Sequence, residues 1–66
     1  MKNFKCRLRV GSSPWTKPET VQAQKKEDAA KAFADLNLYG TPVRSTSSLY
    51  VVGAGKQACF IEVKSA

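Results

Sequence analysis

Phe4-Lys5-Cys6-Arg7-Leu8-Arg9-Val10 alternates without a break between apolar and cationic side chains. Successive residues of a β-strand point to opposite faces, whereas a helix would scatter these charges around its circumference. As a strand, the segment sends Phe4, Cys6, Leu8 and Val10 into a core. Lys5, Arg7 and Arg9 then stand in a row on the other face, roughly 7 Å apart. The stretch therefore specifies a half-buried strand with a cationic outer side.

Working outward, Gly11-Ser12-Ser13-Pro14-Trp15-Thr16-Lys17-Pro18 is dense in turn formers, and its prolines block a continuous ladder. Thr20-Val21-Gln22-Ala23-Gln24 alternates again, so the two runs read as a hairpin with a long loop. From Lys26 to Leu36 the period lengthens. Glu27 and Asp28 suit a helix N-terminus, and Ala29, Ala30, Phe33, Ala34 and Leu36 make an apolar stripe. Asn37-Leu38-Tyr39-Gly40-Thr41-Pro42 ends the helix. A third strand is expected between Val43 and Val52. Val43, Leu49 and Val51 turn inward and Arg44, Tyr50 and Val52 outward, with Ser45-Thr46-Ser47-Ser48 as its polar start or a loop. Gly53-Ala54-Gly55-Lys56 is read as a turn, and Cys59 to Lys64 as a fourth strand with Cys59, Ile61 and Val63 inward. The expectation is an α+β fold, ββαββ, with an antiparallel four-stranded sheet and one helix packed on one face. Residues 1–66 are taken as one small domain.

With 66 residues, such a chain buries only about 60% of its unfolded surface and has no room for a deep pocket. Its 42% hydrophobic content argues against disorder. The longest apolar run, Leu49 to Val52, is far too short for a membrane span, and no apolar stretch follows Lys2 and Lys5. A cytoplasmic, membrane-free protein is expected. Cys6 and Cys59 read as small buried hydrophobes, reduced rather than paired.

Eleven Lys and Arg against five Asp and Glu leave a net charge of +6, which attracts polyanions. One helix covers one sheet face, so the other is open. By parity that open face carries Lys5, Arg7, Arg9, Arg44 and Lys64, the aromatics Tyr50 and Phe60, and the acid Glu62. Exposed rings among cations hold single-stranded nucleic acid by stacking bases and meeting phosphates. The expected function is a small basic module binding nucleic acid, single-stranded or read through its backbone. The rival is an adaptor or inhibitor that docks on an acidic surface of a larger, nucleic-acid-processing enzyme, with Trp15 and Lys17 as partner contacts. Trp15 otherwise folds back to cap the edge of a thin core. Assembly through free sheet edges is a weaker third option, and the sequence leaves monomer and homodimer both open.

Catalysis is not expected. The chain has no histidine, and two cysteines alone make no usual zinc site. Gly53-Ala54-Gly55-Lys56 fails as a phosphate loop: Tyr50 stands where the first glycine belongs, and Gln57 follows the lysine. No cofactor and no metal are expected.

Overall fold

The computed structural model describes residues 1–36, 40–53 and 58–66. The order of elements is β1 (Lys2–Val10), β2 (Glu19–Ala23), α1 (Lys26–Leu36), β3 (Val43–Arg44), β4 (Leu49–Val52) and β5 (Cys59–Ser65). One sheet holds five strands in the order β2-β1-β5-β4-β3, and every neighbouring pair is antiparallel. The α+β class and the single helix stand as expected, with five strands in place of four.

The alternating stretch is the middle of β1, which pairs with β2 on one side and β5 on the other. Phe4, Cys6 and Leu8 are buried, and Val10 packs against the same core. From β5, Cys59, Ile61 and Val63 join them, and Val21 and Ala23 come from β2. α1 packs on β2, β1 and β5. Ala29, Ala30 and Ala34 are fully buried, so the small side chains let the helix backbone sit close while Phe33 fills the space between. Leu36, expected in the apolar stripe, is 73% exposed at the last position of α1.

The expected third strand is in fact a hairpin. Ser45 and Thr46 both donate backbone N–H bonds to the Leu49 carbonyl, at 2.8 and 3.1 Å, and the Ser48 N–H donates to Thr46 Oγ1. Hydroxyl side chains offer the backbone these local partners, which favours a turn over an extended run. The hairpin makes β3 and β4 separate strands, with Val43 opposite Val51 and Arg44 opposite Tyr50.

The orientation of this hairpin corrects the expected faces. Tyr50 lies opposite Ile61 and Val52 opposite Cys59, so both point to the helix side and are buried. Arg44 shares that side, 3.9 Å from Glu27 of α1. Leu49, Val51 and Val43 take the open face instead, and Val43 is 68% exposed. Leu49-Tyr50-Val51-Val52 is apolar throughout, so it has no alternation to set its direction; pairing with the buried Ile61 sets it.

Register also separates the thiols. Cys6 faces Val63 and Cys59 faces Val10, four residues apart along β5, about 13 Å at the strand rise. That exceeds the reach of a disulfide, and both cysteines are free and buried. The readings made for Asn37–Tyr39 and Ala54–Gln57 lie outside the described residues. Among the described residues no helix is long and apolar enough to cross a membrane.

Candidate nucleic-acid interface

β1 outlasts β2: their ladder stops at Cys6–Glu19, while β1 continues to Val10. Leu8 would be left with an unpaired N–H and carbonyl on that side, a costly arrangement for a buried backbone. The loop after β1 supplies both partners. The Thr16 N–H donates to the Leu8 carbonyl at 2.8 Å, and the Leu8 N–H donates to Thr16 Oγ1 at 3.1 Å. Gly11, with φ at 57°, turns the chain at the end of β1, and the Ser13 N–H closes the bend onto the Val10 carbonyl.

This anchoring puts Trp15 over the open face. Its ring lies 4.8 Å from the Arg7 guanidinium and 5.6 Å from that of Arg9, within cation–π range of both. It is half-buried and is not a member of the buried core, so it does not cap the core's edge as expected. The signal in the sequence was the pair Arg7 and Arg9 itself: alternate cations on one face meet any ring folded across that face.

Cross-strand pairing arranges the open face in rows. Lys5 stands between Lys64 and Thr20; Arg7 and Glu62 are followed by Leu49; Arg9, Phe60, Val51 and Val43 make the third row. The face is therefore graded, from cationic at Lys5 and Lys64 to apolar and aromatic at Phe60 and Val43. The three cations that β1 places on this face are also inequivalent. Arg7 Nε donates to Glu62 Oε1 at 2.7 Å, and both side chains are partly buried. Its charge is matched inside the protein. Arg9 has no acidic partner among the described residues; its Nε donates to the Gly11 carbonyl at 3.1 Å, and its guanidinium also lies 5.9 Å from the Phe60 ring. Lys64 comes within 3.9 Å of Glu62 at the surface, a contact of small energetic weight.

Of the residues expected to contact nucleic acid, the fold brings together Lys5, Arg7, Arg9, Phe60 and Lys64. Arg44 and Tyr50 are excluded because they face the helix side. Trp15, expected as a contact only in the protein-partner reading, joins the set, whereas Lys17 stays exposed on the loop. Leu49 and Val51 were missed, since nothing in an unbroken apolar run marks its outward members.

Two shallow depressions mark the open face. One, of about 230 Å³, is lined by Arg9, Trp15, Leu49 and Phe60. The other, of about 210 Å³, is lined by Lys5, Arg7, Pro18, Glu62 and Lys64. A larger one, of about 470 Å³, lies beside the first turn of α1, where Lys25, Lys31 and Arg44 meet Glu27 and Asp28. Three cations against two acids leave this lining one net positive charge, and part of it is met locally, since Arg44 lies 3.9 Å from Glu27. Comparison with protein-family models, curated proteins and solved structures finds no match. The chemistry of the open face is thus the ground for a functional reading.

Proposed function

We propose that this protein is a non-catalytic module that binds single-stranded nucleic acid through the open face of its sheet. The observation that carries the reading is the pairing of Lys5 with Lys64 directly across the β1–β5 ladder, on the face that also holds Arg9, Trp15 and Phe60. Like charges directly opposite each other cost stability, and a bound polyanion removes that cost. Phosphates meet Lys5 and Lys64; bases stack on the rings beside Arg9 at the other end of the face. Arg7 has a supporting role, held to Glu62 and underlying Trp15.

A second reading is favoured by the apolar row. Phe60, Val51 and the exposed Val43 continue one another across three strands, which suits a protein partner whose acidic rim would meet the lysines.

Fluorescence anisotropy with labelled single- and double-stranded oligonucleotides at two salt concentrations separates the two. Strand binding is expected at about 10⁻⁴ to 10⁻⁶ M, weakening with salt with a logarithmic slope of about 1.4 for two neutralised phosphates. Combined change of Lys5, Arg9 and Lys64 to Gln abolishes binding while circular dichroism and melting stay near the parent's. Failure of every oligonucleotide to bind at low salt sinks the nucleic-acid reading and leaves the protein partner.

A further inference from the structure

We infer that the notch between Trp15 and Phe60 takes one unpaired guanine of the bound strand, read by Arg9; the inference rests on the nucleic-acid reading above. Three features of Arg9 lead there. Its guanidinium lies near both ring faces, at 5.6 and 5.9 Å. Its Nε is tied to the Gly11 carbonyl, so the head is held at one end by the turn that closes β1. Its terminal amino groups enter no hydrogen bond or ion pair among the described residues, in contrast to Arg7, whose Nε binds Glu62.

A guanidinium held in this way offers two parallel N–H donors. Guanine presents two adjacent acceptors, O6 and N7, and accepts that fork in two bonds. Adenine places a donor beside its N7 and cannot satisfy both donors; unpaired cytosine has adjacent acceptors at N3 and O2 but stacks a smaller ring on Trp15 or Phe60. The surroundings suit a base as well as a charge. Leu49 and the two rings line the depression with Arg9, and its volume of about 230 Å³ is open enough to admit a flat ring system. Stacking on Trp15 or Phe60 requires a base free of its duplex neighbours, which selects a single strand. Lys5 and its partner Lys64 lie four residues back along β1, about 13 Å away, so they meet phosphates of flanking nucleotides rather than that of the same one.

The test uses the native protein and labelled oligothymidylate strands carrying a single central guanine, adenine, cytosine or abasic site, followed by anisotropy and by Trp15 emission. The guanine strand should bind at least about fivefold more tightly than the other three and give the deepest quenching of the single tryptophan. Arg9→Lys, which keeps the charge and removes the fork, should erase the difference between the guanine and adenine strands. Equal affinity for all four inserts, with strands still bound, overturns the guanine site and leaves the nucleic-acid reading standing. Persistence of the guanine preference in Arg9→Lys removes Arg9 as the reader. Absence of binding to any strand overturns both.

Discussion

The two faces of the sheet are built from alternate residues of the same strands, yet they obey different physics. On the covered face the apolar side chains are packed: Phe33, Ile61, Val63 and both cysteines are almost fully out of water. On the open face the same strands present Lys5, Arg7, Arg9, Phe60, Glu62 and Lys64, partly exposed and only partly paired. The first face is held by area removed from water, at about 25 cal/mol per Å². The second is held by a few directional contacts of small individual weight, and it keeps unsatisfied charge available. A domain of 66 residues cannot do both on one surface, because its core needs one whole face of the sheet.

The sharpest way to break this contrast is to remove one phenylalanine from each side. Phe33→Ala on the covered face should cost about 3 to 5 kcal/mol, a large part of the roughly 3 to 10 kcal/mol available to a chain of this length. Phe60→Ala on the open face should cost less than half as much in stability and instead weaken strand binding, by the roughly 1 to 3 kcal/mol of a lost stack. Urea denaturation followed by circular dichroism measures the first, and anisotropy the second. Equal stability losses would mean that the open face is a second core.

A pH titration tests how dry the covered face is. Burial, with a smaller contribution from Glu19, pushes the Cys6 thiol up to about 11. Below the ordinary thiol value of about 9 the group is neutral in both folded and unfolded chains, and its contribution to stability is fully present. As pH rises from there towards 11, the unfolded chain releases the proton and the folded one retains it. Stability should therefore fall by about 2 to 3 kcal/mol over that window. Cys6→Ala should remove a large part of this fall; burial also pushes the Cys59 thiol and the Tyr50 phenol up, and the remainder belongs to them. A Cys6→Ala curve that falls as steeply as the parent's would show that water reaches this face.

The smallest effect distinguishes two arginines on the same strand. Arg7→Gln breaks the bond to Glu62 and the closer of the two contacts under Trp15, for about 1 kcal/mol of stability and a shift in tryptophan emission. Arg9→Gln should leave stability within about 0.5 kcal/mol and reduce strand affinity severalfold, because its charge has no acidic partner to lose. Reversal of these two outcomes would exchange the structural and binding roles assigned here.

Much of the fold was legible because the signals were periodic. The alternation from Phe4 to Val10 oriented β1, that of Cys59 to Lys64 oriented β5, and the stripe through Ala29, Ala30 and Phe33 marked α1. Tyr50 and Arg44 were misplaced where periodicity fails. Leu49 to Val52 carries no alternation, and the Ser45–Ser48 turn divides what the composition allows to be one strand. Of the candidate interface, Lys5, Arg7, Arg9, Phe60 and Lys64 follow from parity alone. The place of Trp15 does not, since it depends on Thr16 satisfying the backbone of Leu8.

What the sequence by itself determined is the division of β1 and β5 into an apolar and a charged side, because strand geometry sends neighbours to opposite faces whatever the rest of the chain does. Only the tertiary structure decided which cation is neutralised, which ring lies over the open face and which way the apolar β4 turns. Cross-strand register brings Glu62 to Arg7 and Ile61 to Tyr50, while the Thr16–Leu8 hydrogen bonds carry Trp15 over the β1 guanidiniums.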